Sequence, residues 1–281
     1  MITKAAIIAT KMNNFFIKKV KDIRANIPFL PSSLGNCYKT MKGRKVELEL
    51  QHVSINKVLR ILKKMKASKS TGIDTLDGYS VKISADIIAQ PLHHIICLSI
   101  MQQKFPSDWK YSKIIPLHKK ESKLEKQNYR PVAILSPLSK VLERVIYDQV
   151  YNYFSRNKIF NENLHGFRRN RSTQTALLTL YDRWTRAASN GQISGVVLMD
   201  LSSAFDLVDH QLLLRKLSIY GIKDDLLNWI HSYLSDRYQS VWIDHILSEF
   251  LHCEFGVPQG SILGPLLFTI FSNDLPAVNR M

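Results

Sequence analysis

In the stretch VVLMDLSSAFDLVDH, Val196 to His210, four apolar residues run into Asp200, and two further acids, Asp206 and Asp209, follow close behind. A continuous apolar run of this kind reads as a strand buried on both faces. A carboxylate at the end of such a strand is costly unless something pairs with it. A divalent cation is one such partner, and several carboxylates together commonly hold the paired ions that bridge phosphate oxygens. Each acid also has a plainer reading. Asp200 suits the cap of a following turn, and Asp206 and Asp209 suit the start of a helix whose apolar residues begin at Leu212.

Two other groups carry chemistry. Pro258-Gln259-Gly260-Ser261 lies between Gly256 and Gly264. A loop this rich in glycine suits close approach by another group, and Gln259 supplies both a donor and an acceptor. The plain alternative is a turn before a helix that begins at Pro265. Basic side chains gather at Lys113, Lys119, Lys120 and Arg130, and again at Arg168, Arg169 and Arg171, interleaved with Trp109, Tyr111, Tyr129 and Phe167. Guanidinium groups match phosphate oxygens in two-pronged geometry, and aromatic faces stack on bases. Either cluster alone is also what a solvated surface looks like. Beside a metal-ready aspartate they point to a nucleoside triphosphate or a nucleic acid backbone.

The elements that must position these groups follow from local pattern. Ser54 caps a helix whose face is Ile55, Val58, Leu59, Leu62 and Met65. A Ser/Gly/Asp loop spans residues 66–79, and a second helix covers roughly Ala85 to Gln103, with Pro91 inside it. Ile114–His118 and Val132–Leu135 are β-prone pieces around a charged tip, a hairpin pattern. Ser136 and Pro137 open a helix with Leu138, Val141, Leu142, Val145 and Ile146 on its face. Ser172 caps another that stops at Gly191. After the 196–200 strand come short helices near 210–220 and 225–235. Two strands, Tyr238–Asp244 and Leu251–Phe255, complete the series. Residues 1–50, with Pro28, Pro31 and five lysines before the first acid, Asp22, read as a basic helical arm or linker. Residues 51–281 read as the folded unit, and their alternation of strands and helices implies an α+β or α/β class.

Composition sets bounds. The chain has 281 residues, is 45% hydrophobic and 22% charged, and carries a net +16. Residues 1–200 hold 34 Lys/Arg against 14 Asp/Glu, whereas residues 201–281 hold 5 against 9. A basic body with an acidic end suits a polyanion on one part and a cation on another. Cys37, Cys97 and Cys253 are odd in number and far apart, which favours a reducing compartment over a disulfide framework. No Cys/His cluster has zinc spacing, and no apolar run is long enough to cross a membrane.

The order of the pieces is the strongest signal. NYRPVAIL is followed by GFRRNRST, then by VVLMDLSSAFDLVDH, then by GVPQGSILGPLLFTIFSNDLP. That succession resembles the reverse transcriptase domain of non-LTR (LINE-type, jockey-like) retrotransposons over about residues 50–280. The resemblance implies a right-hand polymerase, fingers and partial palm, that copies an RNA template into DNA from a DNA primer or target, using deoxynucleoside triphosphates and two Mg2+ ions. By position it makes Asp200 the first catalytic and metal-binding aspartate. It places Phe205 under the sugar of the incoming nucleotide, where an apolar ring leaves a 2′-hydroxyl neither space nor partner. It puts Gln259 and Gly260 against nucleotide and template, Arg130 and Lys119 on the triphosphate, and Arg168, Arg169 and Arg171 on the template. It also implies an intracellular protein of nucleus and cytoplasm, without a membrane partner.

The sequence departs from the family after the NDLP segment. The aromatic-Ala-Asp-Asp tetrad that follows the NDLP segment, here Asn273 to Pro276, is missing, and so is the thumb. Asp274 belongs to the motif before the tetrad. Two metals organise nucleotidyl transfer, and one aspartate with a backbone carbonyl is a poor cage for both. The expectation is a truncated gene model or decayed copy that does not polymerise by itself, with an unpaired sheet edge beside Asp200. The alternative is a catalytically dead remnant that only grips nucleic acid. A nuclease or phosphotransferase built on Asp200, Asp206 and Asp209 would leave the PQGS loop and the Arg130 hairpin unexplained.

Overall fold

The computed structural model describes residues 4–27, 34–44, 46–119 and 121–278; Pro28, Pro31, Lys120 and Met281 lie outside them. A mixed sheet carries the groups of interest. Strands β1 (Tyr111–His118) and β2 (Tyr129–Ile134) form an antiparallel hairpin in which Ile115 faces Val132 and Leu117 faces Arg130. Strand β3 (Arg237–Ile243) lies parallel to β1, with Tyr111 opposite Tyr238. Two short strands, β4 (Ile246–Leu247) and β5 (Leu251–Cys253), pair antiparallel with β3, so the order is β2-β1-β3-β4 with β5 also on β3.

Short helices α2 (Gly35–Met41) and α4 (Gly78–Ile83) form in or beside stretches that read as linker and loop, while the others form where local signals place them. Ser54 accepts from the Lys57 amide and opens α3 (Ile55–Lys64). Ser136 does the same for α6 (Pro137–Arg156), with Pro137 in the first turn. Ser172 and Thr175 make a reciprocal capping box at α7 (Thr173–Ser189). Such caps satisfy amides that the helix itself leaves orphaned. Helix α5 (Ala85–Met101) runs through Pro91. The short helices α8 (His210–Ile219) and α9 (Asp224–Leu234) flank Gly221, and α10 (Leu263–Phe271) follows the glycine-rich loop. Val58, Leu62, Ile96, Leu142, Ile146, Phe154, Leu213, Trp229 and Ile270 belong to one buried helical core.

A second, smaller core lies between the sheet and α1 (Lys4–Ala25). Ala9, Met12 and Phe16 of that helix pack on Ile114, Ala133, Leu135 and Val241. Asn13, 1% exposed, donates to Ser248 Oγ at 3.0 Å, to the Glu249 carbonyl at 2.9 Å and to the Gln239 carbonyl at 3.2 Å. The basic helix expected near the N-terminus is therefore docked across the sheet. No helix among the described residues is long and apolar enough to cross a membrane.

One expectation fails. Residues 196–200 do not form a strand; residues 192–200 have no regular secondary structure. Val197, Leu198 and Met199 are 82%, 88% and 75% exposed. A strand is defined by its ladder, and an apolar run buried on both faces needs neighbours on either side and layers above and below. Among the described residues no strand pairs with this segment.

Candidate active site

A cleft of about 560 Å³ opens between the β1–β2 hairpin, the 200–206 segment, the loop after β5 and α1. Its lining brings together Lys119, Arg130, Asp200, Phe205 and Gln259, which are far apart in the sequence. The hairpin positions the two basic residues. The ladder runs to His118 opposite Tyr129, and the Lys119 amide donates to the Asn128 carbonyl at 2.8 Å beyond it. Lys119 and Arg130 are exposed at the open end. Lys113 turns elsewhere, donating to Thr71 Oγ1 at 3.2 Å.

The segment that carries Asp200 is held by its far end. Gly256 and Val257 donate their amides to the Val208 and Phe205 carbonyls, each at 2.9 Å. A Cβ on Gly256 would fall 2.7 Å from the Asp206 backbone, so the close approach there is by the protein's own chain. Phe205 stacks on Phe268 with centroids 4.7 Å apart and meets Phe167 edge-on at 5.5 Å. Its ring is therefore fixed by aromatic packing. Gln259 donates from Nε2 to Asp206 Oδ1 at 2.7 Å and accepts from the Ala133 amide at 2.8 Å. Gly260 presses against β2 beside it. Burial raises the Asp206 pKa, although Gln259 and Lys19 act in the opposite sense.

The remaining two acids, Asp209 and Asp200, have different tasks. Asp209 accepts from the Leu212 amide at 2.8 Å as the cap of α8, and it also pairs with Arg24. Asp200 is exposed and lines the cleft. A hard divalent ion takes oxygen ligands of this sort, so the carboxylate fits as one ligand. A two-ion cage does not fit: among the described residues, no group of three potential metal-ligating side chains includes Asp200.

The arginines expected on the template lie outside the cleft lining. Arg168 donates to the Asn161 and Leu164 carbonyls at 2.6 and 3.1 Å and covers the Phe160 ring. Arg169 lies over Tyr151, its guanidinium carbon 4.7 Å from the ring centre, and meets Asp148 at 3.4 Å. Arg171 is half-buried in the same turn. The cleft also contains residues that the sequence did not single out, Lys19 and Lys21 from α1 and Arg237 from β3. The signal was present in α1, whose Ala9, Met12 and Phe16 mark one face while its lysines mark another. Glu143 was missed too. It is fully buried and caps α10, accepting from the Ile262 and Leu263 amides at 2.7 and 3.0 Å.

His210 ties this loop to α8. Its Nε2 donates to the Gly256 carbonyl at 2.7 Å, and burial lowers its pKa. The neutral ring belongs to the folded state, while the unfolded chain takes up a proton below about pH 6.5. Stability is thus complete above that value and is lost as pH falls from it towards the folded pKa. His210→Gln should flatten that part of the curve of urea midpoint against pH. An unchanged slope would remove His210 as its source.

The chain matches the family described as reverse transcriptase (RNA-dependent DNA polymerase) over residues 117–280. It is 30% identical over 248 residues to a probable RNA-directed DNA polymerase from transposon BS of Drosophila melanogaster, covering 84% of this chain and 26% of the relative. It is 29% identical to the RNA-directed DNA polymerase from mobile element jockey of the same species, over 83% of this chain and 25% of that protein. The jockey polymerase of Drosophila funebris is 30% identical, over 84% and 26%. The chain thus spans about a quarter of the length of these relatives. With the family match extending over more than half of its length, the chain belongs to the reverse transcriptases, of the non-LTR, jockey-like kind.

Proposed function

We propose that residues 51–281 are the fingers and part of the palm of an RNA-directed DNA polymerase, with residues 1–50 as a basic linker whose α1 packs on them. The cleft receives a deoxynucleoside triphosphate. Lys119 and Arg130 hold its phosphates, Phe205 lies under its sugar, and Gln259 and Gly260 shape the floor. Asp200 supplies one ligand to a divalent ion, and Arg168, Arg169 and Arg171 flank the path of the RNA template with its DNA primer. The observation that carries the reading is the meeting of Lys119, Arg130, Asp200, Phe205 and Gln259 in one cleft. The site works inside the cell, where template and nucleotides are found.

A second reading, grip without chemistry, draws on the exposed position of Asp200 outside any sheet and on the absence of a three-ligand group around it among the described residues. We therefore expect the 281 residues to bind a primer–template and dTTP in Mg2+ without extending the primer. Lys119→Ala with Arg130→Ala should weaken dTTP binding at least tenfold while changing primer–template affinity less. Equal loss of both ligands would count against a triphosphate site. Extension of a DNA primer on RNA that disappears in Asp200→Ala would overturn the expectation of inactivity and establish the polymerase.

A further inference from the structure

Away from the cleft, three side chains with metal-binding atoms converge where the segment before α3 meets α5. They are His52, His93 and Cys97, and their ligating atoms all lie within 4.8 Å of one another. His93 and Cys97 are four residues apart on α5, so they share one face of the helix. Cys97 Sγ is 3.4 Å from His93 Nε2. A tetrahedral zinc ion with sulfur at about 2.3 Å and nitrogen at about 2.0–2.1 Å holds those two atoms about 3.6 Å apart. His52 comes from the segment ahead of α3, with its ring 6.1 Å from that of His93 at an interplanar angle of 66°. His52 is exposed and the other two are half-buried, which leaves a route for an ion from solvent. The cysteine is a free thiol.

The geometry points to a transition-metal site of zinc type at His52, His93 and Cys97 that clips the chain ahead of α3 to α5. Thiolate and imidazole select Zn2+ over Mg2+, so this site is separate in chemistry as well as in place from Asp200. Three protein ligands leave the fourth position to water or to the Val53 carbonyl. That carbonyl now accepts from His93 Nε2 at 2.7 Å. On binding, the Cys97 thiol loses its proton to solvent and the His93 proton moves to Nδ1, freeing Nε2 as a ligand. One proton is released for each ion bound, with no change of oxidation state.

Co2+ titration of the reduced 281-residue chain provides the test. One equivalent should produce tetrahedral visible bands and a thiolate-to-cobalt charge-transfer band, and Zn2+ should displace it. Cys97→Ser should abolish the charge-transfer band, and His52→Ala should weaken binding at least tenfold. Cys37→Ser and Cys253→Ser should leave both unchanged. Because His52 is exposed, His52→Ala should melt like the parent chain without metal, yet lose the rise in Tm that Zn2+ gives the parent. A charge-transfer band that survives Cys97→Ser, full affinity in His52→Ala, or no band in the parent chain would each overturn the site.

Discussion

Lys216→Met should destabilise the protein by about 3–5 kcal/mol, because it strands a buried carboxylate. Lys216 and Asp274 have side chains only 7% and 8% exposed, and Nζ lies 2.6 Å from Oδ1. The same ammonium donates to the Phe271 carbonyl at 2.7 Å and lies over the Phe271 ring. Removing the cation leaves Asp274 without a counter-charge and that carbonyl without its donor. Replacing both partners by apolar residues, Lys216→Met with Asp274→Leu, should recover much of the loss, since buried pairs often roughly balance against hydrophobic packing. Urea midpoints at constant slope measure all three variants. A single-variant cost below about 1 kcal/mol, the level of an exposed pair, would show that the pair is not buried in solution. The neighbouring Asn273 accepts from the Asn161 amide at 2.8 Å and donates to the Ile159 carbonyl at 3.0 Å. In this chain the Asn-Asp segment therefore joins α8 and the end of α10 to the turn after α6.

Gly260→Ala should cost about 3 kcal/mol, combining a backbone angle that side chains rarely adopt with a hard clash. Gly260 has φ +122°, and a Cβ there would lie 2.2 Å from the Ala133 carbonyl oxygen. That oxygen belongs to the backbone of β2 and has no flexible end to swing aside. The substitution must push the loop away from the strand, breaking the bond from the Ala133 amide to the Gln259 carbonyl and loosening Gln259 from Asp206. A displacement near 1 Å at such a site can cost on the order of a hundredfold in function, so dTTP affinity should fall with stability. Gly191→Ala is the control. Its φ is +67° but nothing lies within 4 Å, so only the backbone cost of about 1–2 kcal/mol applies. Equal losses at the two positions would mean that the contact with β2 contributes nothing.

What the sequence made legible follows the range of the interactions. The caps at Ser54, Ser136, Ser172 and Asp209 depend on groups two or three residues away, and their residue types announce them. The hairpin was readable because its two strands flank one polar tip. The 196–200 run was misread because its composition satisfies a strand, whereas a strand also needs a partner that no local pattern specifies. Glu143 carries no local signal, since nothing in VLERV reveals that the Ile262 and Leu263 amides come to it from about 120 residues away. The Gln259–Asp206 contact, spanning 53 residues, was hidden for the same reason. The glycines around Gln259 did signal close approach, but the groups that approach are the protein's own strand and turn.

The docking of α1 sets a timetable for the nascent chain. The three groups that hold Asn13 lie 226 to 236 residues further along. At roughly 5–20 residues per second, the ribosome takes about 10–45 s to deliver them. Helix α1 therefore leaves the ribosome well before its seat exists, and the sheet cannot cover the stripe of Ala9, Met12 and Phe16 until β3 and the turn after β4 have been made.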